Sequence, residues 1–226
     1  MLETIEINPE RSANCCFICL HGLGASGYDF ISEAGVQPMG MPKDLVMRFV
    51  FPHAPVRKIT WTSGGKLRAW FDIVNFNETD YQDDIVGMAH SAKLIQGLIE
   101  AEIARGIPST RIILGGFSQG GVMALYLGLR YQRQLGGIVS LSAWLAQHEK
   151  VIAARDNING NTPIFIAHGT TDHLIPLDWA EKSHASLNKL GYNVETFKYP
   201  MGHSVCTEEL ADLGAWVQTV LGGLDA

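Results

Sequence analysis

Gly116, Ser118 and Gly120 spell G-x-S-x-G inside the run Gly115-Gly116-Phe117-Ser118-Gln119-Gly120-Gly121. A serine hydroxyl is a weak nucleophile and needs a histidine base that is itself oriented by a carboxylate. The glycines fit the geometry such chemistry requires. A strand-to-helix turn sharp enough to lift an Oγ above a sheet leaves no room for side chains two positions to either side of the serine. Ser118 is therefore read as the nucleophile of an acyl-transfer site. The N–H groups at the start of the following helix would face the oxyanion that forms.

Asp172 and His203 fit the partner positions. The apolar run Ile164–Ala167 leads into His168-Gly169-Thr170-Thr171-Asp172, and Val194–Tyr199 leads into Pro200-Met201-Gly202-His203. Both residues fall in loops just after strands, in the order Ser, Asp, His. His53, His90, His148 and His184 lack that placement, His168 precedes the acid, and His173 adjoins Asp172 in the same loop. Asp178 opens a helix, where the dipole alone favours an acidic side chain.

The second oxyanion donor is sought in His21-Gly22-Leu23-Gly24-Ala25-Ser26-Gly27, which follows an apolar strand at once. The backbone N–H groups of Leu23 and Gln119 are assigned to the oxyanion. Phosphate binding is the rival for such a loop. However, G-x-G-x-x-G is met only at Gly22, Gly24 and Gly27, with no acidic residue about 20 positions on at a strand end. Nine of the 24 glycines lie in the serine, acid, base and oxyanion loops, so the glycine surplus has a local cause.

These loops need a scaffold, and the hydrophobic pattern supplies one. Short apolar runs at 4–7, 15–20, 46–51, 111–114, 137–141, 164–167 and 194–199 read as strands. They alternate with helical segments at about 79–105, 118–130, 177–190 and 208–221, with a helical piece near Gln147. In the first of these, Ile85, Met88, Ala89, Ala92, Ile95, Leu98, Ile99 and Ile103 form an i, i+3, i+4, i+7 stripe. The alternation predicts an α/β fold, a mostly parallel sheet with helices on both faces, as one domain over residues 1–226.

Composition excludes several function classes. The net charge is −6 and no basic stripe is present, so nucleic acid and anionic membranes are poor partners. No apolar run approaches the ~18 residues a membrane span needs. Met1-Leu2-Glu3 shows no basic region and no adjoining apolar core, so no signal peptide is expected and the cytoplasm is the expected setting. Cys16-Phe17-Ile18-Cys19 has C-x-x-C spacing, yet on a strand the two thiols point to opposite faces. Buried thiols are the expectation, with no metal site and no cofactor.

With those residues placed, the chain resembles the phospholipase/carboxylesterase family of α/β hydrolases, which includes acyl-protein thioesterases and small bacterial carboxylesterases. The resemblance rests on Cys16 to Gly24, Phe51-Pro52-His53-Ala54-Pro55, Arg68-Ala69-Trp70-Phe71-Asp72-Ile73, Gly116 to Gly121, Leu141-Ser142-Ala143-Trp144-Leu145 and Gly202-His203-Ser204. It implies Ser118, Asp172 and His203 as the triad and Leu23 with Gln119 as oxyanion donors. Ala25, Thr170 and Thr171 stand where the family often has acidic residues, and Ala146 where proline commonly follows Trp-Leu. Val36–Lys43 reads as a local insertion.

The expected reaction is two-step hydrolysis of short to medium acyl esters. Acyl-protein thioesterase or lysophospholipase activity is the alternative within enzymes, and a non-catalytic hydrolase-fold binding protein the alternative outside them. The substrate would be a small-molecule or lipid acyl ester or thioester. Leu67, Trp144 and Leu145 are expected to line its acyl part, and Thr62–Leu67, with its Gly64-Gly65 pair, to form a flap. Apolar residues around 60–76 suit a homodimer.

Overall fold

Cys16, Ile18 and Leu20 enter one apolar core and Cys15, Phe17 and Cys19 a second, so β2 (Cys15–Leu20) is covered on both faces. A strand covered on both faces reads as a continuous apolar run rather than an alternating one. The same division holds in β8 (Ile164–Gly169), where Ile164 and Ile166 join the first core and Phe165 and Ala167 the second. The computed structural model describes residues 2–7, 12–29, 45–74, 84–146, 148–155 and 157–222.

With β1 (Thr4–Ile7), β3 (Met47–Pro52), β6 (Ile112–Phe117), β7 (Gly137–Leu141) and β9 (Val194–Tyr199), these strands form a seven-stranded sheet. Its order is β1-β3-β2-β6-β7-β8-β9. Only β1 runs antiparallel, along β3, and every other pairing is parallel. Parallel strands bring their C-terminal ends to one side, which is where ligands bind in sheets of this kind. The loops carrying His21, Ser118, Asp172 and His203 all follow such ends.

Helices cover both faces. α1 (Ile85–Ala104), α2 (Gln119–Gly128) and α4 (Leu177–Lys189) bury Met88, Ile95, Leu98, Ile99, Val122, Leu125, Ala180 and Leu187 in the first core. α3 (His148–Ala153) adds Val151. α5 (Thr207–Gly222) puts Leu213, Trp216, Val217 and Leu221 into the second. All residues of α2 are buried, which marks it as the central helix beneath the serine turn. The α/β expectation is thus met, with helices on both faces of a mostly parallel sheet.

Details differ from the sequence reading. α1 begins at Ile85, capped by the Asp84 carboxylate accepting from Gly87 N–H at 2.8 Å. Ile85 itself is exposed, whereas Met88, one turn on along the same stripe, is fully buried. The stretch after Pro55 folds into a hairpin of β4 (Val56–Ile59) and β5 (Gly65–Arg68), outside the main sheet. Its turn places Ser63 and Gly64 at φ 56° and 80°. The aromatics there divide: Trp70 and Phe71 are fully buried, whereas Trp61 is half-exposed. The insertion expected at Val36–Lys43 lies outside the described residues.

Cys16 and Cys19 lie in different cores, as the period of two requires, and all four cysteines are free thiols. Burial pushes the Cys15 thiol up to about 11 and those of Cys16 and Cys19 higher still. They are inert packing groups, not redox groups.

Candidate active site

Ser118 sits between the end of β6 and the start of α2 with φ 53° and ψ −121°. A non-glycine residue in that region stores strain, of order 1–3 kcal/mol, and persists only when its surroundings over-determine it. Here they do. Ser118 N–H donates to Leu141 O at 2.8 Å, and its side chain makes no cap bond to α2, so Oγ is not spent on the helix. Any side chain at Gly120 would strike the Leu20 carbonyl and stand 2.8 Å from that of His21. The glycine expectation therefore has a concrete cause: α2 enters directly beneath the end of β2.

The loops after β8 and β9 interlock. Thr170 N–H donates to Tyr199 O at 2.8 Å and Thr171 N–H to Met201 O at 3.1 Å. Gly169 lies so close to the Met201 and Gly202 carbonyls that a Cβ there would strike both. This contact lays the acid loop against the base loop. The Asp172 side chain is fully buried; its Oδ1 accepts from Leu174 N–H and Ile175 N–H, both at 2.9 Å. Its Oδ2 stands 2.7 Å from His203 Nδ1. A carboxylate oxygen can only accept, so this contact assigns the proton to Nδ1 and leaves the Nε2 lone pair for the reaction. The His203 ring packs 4.7 Å from the Phe117 ring, beside the nucleophile turn, and its side chain is 16% exposed.

The oxyanion side is built from backbone. A methyl group on Gly22 would stand 3.4 Å from Ser118 Cβ, so the loop 21–24 lies directly against the serine. That loop is held from the other side by the segment 68–71. Gly24 N–H donates to Arg68 O at 2.9 Å, and the Trp70 indole N–H to His21 O at 2.8 Å. The same segment grips the start of α2: Trp70 N–H donates to Gln119 Oε1 at 2.7 Å, and Gln119 Nε2 to Phe71 O at 2.8 Å. Ser91 Oγ of α1 donates to Trp70 O. One short segment thus fixes both places from which oxyanion donors are expected, Leu23 and Gln119.

His21 belongs to this framework. Its Nε2 accepts from Ala54 N–H at 3.0 Å, so the proton is on Nδ1, which donates to Gly22 O at 2.7 Å. Burial pushes its pKa down to about 4, which keeps the ring neutral and the pattern intact near neutral pH. His53 plays a similar part, its Nδ1 accepting from Gly27 N–H at 3.1 Å.

The expected acyl-side residues occupy two places. Leu67 lies on β5 at the oxyanion loop, its Cδ1 3.9 Å from where a Gly24 Cβ would be. Trp144 and Leu145 line a groove of about 350 Å³ with Trp179, Lys182, Ser183 and Ser186 of α4, a groove that includes neither Leu67 nor Ser118. Trp144 meets the Trp179 ring edge-on at 5.3 Å, and Leu145 N–H donates to Ser183 Oγ at 2.8 Å. Sequence reasoning singled out Arg68 to Ile73 as a family landmark and missed its grip on the oxyanion loops. Only the buried amide of Gln119, directly after the nucleophile, was a clue. Among the described residues, no three His, Cys, Asp or Glu side chains are placed to hold a metal ion, and no helix is long and apolar enough to cross a membrane.

A sequence model described as Phospholipase/Carboxylesterase matches residues 3–221. Acyl-protein thioesterase 1 of Cryptococcus neoformans is 33% identical over 236 residues, covering 97% of this chain and 98% of the relative. Among solved structures, SOBER1 of Arabidopsis thaliana superposes with a TM-score of 0.85 at 29% identity, over 92% of this chain and 100% of that one. Acyl-protein thioesterase 2 of Zea mays gives a TM-score of 0.84 at 26% identity, over 98% and 100%.

Proposed function

The chain belongs to the phospholipase/carboxylesterase family and is a serine hydrolase of esters and thioesters, and from that premise we propose that Ser118 is its nucleophile, His203 its base and Asp172 its orienting carboxylate. The observation that carries this reading is the 2.7 Å contact of His203 Nδ1 with Asp172 Oδ2, beside a serine held at φ 53°. His203 Nε2 takes the Ser118 hydroxyl proton as Oγ attacks the acyl carbonyl, and Asp172 stabilises the imidazolium. The backbone N–H groups of Leu23 and Gln119 hold the tetrahedral oxyanion, each donor being worth roughly 3 kcal/mol. The imidazolium then gives its proton to the departing alcohol or thiol. Water, deprotonated by the same imidazole, attacks the acyl-enzyme and releases the acid with Ser118 restored.

Short to medium acyl esters are the substrates this reading favours, with Leu67 beside the oxyanion loop and Trp144 and Leu145 in the separate groove along α4 as the acyl-side residues. A second reading, long-chain thioesters on acylated proteins, is favoured by the relatives named acyl-protein thioesterases. The reading extends to the cytoplasm, supported by four free thiols, and to a homodimer, supported by exposed Val56, Trp61 and Val74 around the β4–β5 hairpin.

Three measurements test it. A fluorophosphonate probe should label Ser118, and Ser118→Ala should abolish both labelling and ester hydrolysis; hydrolysis persisting in that variant would sink the nucleophile assignment. A p-nitrophenyl ester series from acetate to palmitate should peak below the longest chains, and a peak at palmitate would replace the first substrate reading with the second. Sedimentation at micromolar concentration reads the oligomeric state.

A further inference from the structure

His168 is almost completely buried beside Asp172, and the triad makes no use of it. It stands on β8 two residues after Ile166, opposite Lys198 of β9. Its Nε2 is 2.9 Å from Ile175 O and 3.4 Å from Asp172 Oδ2. Both neighbours can only accept, so the proton of the neutral ring is on Nε2. Nδ1, buried and without a hydrogen-bond partner among the described residues, is then a bare lone pair. Burial pushes the ring below the ordinary histidine range, against the pull of the Ile175 carbonyl and Asp172 and with a smaller push from His203. Glu181 and His184 of α4 and Lys198 of β9 line the same cavity of about 320 Å³ on the ring's far side.

We propose that His168 is a positioning residue for the catalytic carboxylate: its Nε2–H donates to the Ile175 carbonyl and so holds the loop that grips Asp172. The inference rests on the triad reading above. Ile175 donates its N–H to Asp172 Oδ1 and has its carbonyl held by His168, so the residue that grips the acid is itself gripped from behind. Asp172 Oδ2 lies 3.4 Å from the same Nε2, so the ring also backs the acid directly.

The test pairs His168→Gln with His168→Met. The two side chains are similar in length, but only glutamine carries an N–H that reaches the Nε2 position. The expected result is that His168→Gln keeps kcat within about threefold of the parent, while His168→Met loses roughly 10- to 100-fold in kcat with KM little changed, the scale of a misplaced catalytic group. Equal kcat in the two variants would leave His168 a packing residue and overturn the proposal. Should His168→Met fail to fold, nitrogen-15 spectra of the parent decide: His168 must stay neutral with Nε2 protonated from pH 5 to 9, and the opposite tautomer overturns the proposal. Failure of this inference is distinct from failure of the triad. A labelled Ser118 with an inactive Asp172→Asn variant and an indifferent His168 removes only the inference, whereas an unlabelled Ser118 removes the triad.

Discussion

On the oxyanion side, the segment 68–71 bonds to His21, Gly24 and Gln119 at 2.7–2.9 Å, so that loop 21–24 and the start of α2 share one brace. On the acid–base side, the base reaches the acid through one side-chain contact, His203 Nδ1 to Asp172 Oδ2 at 2.7 Å, and keeps part of its ring in solvent. The two sides have different work. Oxyanion donors stabilise charge best when already oriented, because a fixed dipole costs no reorganisation as the charge forms. A general base must gain and lose a proton and exchange hydroxyl, leaving group and water as partners within one cycle. It is therefore aligned by one rigid acceptor and left free on its reacting edge. Damage to the acid–base side should act on turnover alone, and damage to the brace on turnover and stability together.

The largest effect is expected on the acid–base side. In Asp172→Asn the side-chain oxygen can still accept from Leu174 and Ile175 N–H, so the loop keeps its shape. The amide then presents an N–H to His203 Nδ1, which forces the proton to Nε2 and removes the lone pair that should receive the serine proton. A loss of about 10⁴ in kcat follows, with the melting temperature within a few degrees of the parent. A residual rate within tenfold of the parent would break the distinction from this end.

A smaller but double effect is expected from Gln119→Met. Methionine fills a similar volume and offers neither group to the Trp70 N–H nor the Phe71 carbonyl, both of which the glutamine side chain bonds at 2.7–2.8 Å. Each buried group left unpaired costs roughly 1–3 kcal/mol, so unfolding should shift to lower denaturant. Release of the brace should also lower kcat by about 10²-fold, the scale of losing one oxyanion donor, with little change in KM. Loss of stability at full kcat would show that the brace holds the fold and not the donors.

The two sides also differed in how openly the sequence declared them. The strand-end positions of Ser118, Asp172 and His203, on which the proposed triad rests, were legible because strands carry a period-two or continuous apolar signature. The parallel sheet was legible for the same reason. The brace was not, because Arg68 to Phe71 act mostly through main-chain N–H and C=O groups, and backbone bonds leave no trace in residue type. His168 was passed over on chain order, a criterion that finds a base and cannot find a group acting from behind the acid. The β4–β5 hairpin escaped because its strands are four residues each and pair only with one another. Ile85 looked like core because it continues the helical stripe, yet it is exposed while Met88 on the same stripe is fully buried.

Turnover near neutral pH should be least affected by a pair of buried ionisable groups, one on each side, that set the limits of stability. His21, under the oxyanion loop, is pushed down to about 4, so between that value and the ordinary 6.5 the unfolded chain binds the extra proton. Stability is therefore full above pH 6.5 and lost as pH falls toward 4, by about 3 kcal/mol for this group. His53 and His168, also lowered by burial, act with the same sign. Glu209, in the first turn of α5 beyond the base loop, is fully buried and is pushed up to about 8 by that burial, against a smaller pull from the Cys206 backbone N–H. Here the folded chain binds the extra proton, so its contribution is full below pH 4.5 and lost as pH rises through 8. Thermal melts of the parent should show stability falling at both ends. Glu209→Gln is uncharged at every pH and no less paired than the acid it replaces, so it should flatten only the alkaline fall and leave the acid fall and kcat at pH 7 unchanged. An alkaline slope identical to the parent's would mean that Glu209 does not stay protonated in the fold. A flat acid limb would mean that the oxyanion side does not depend on a neutral His21.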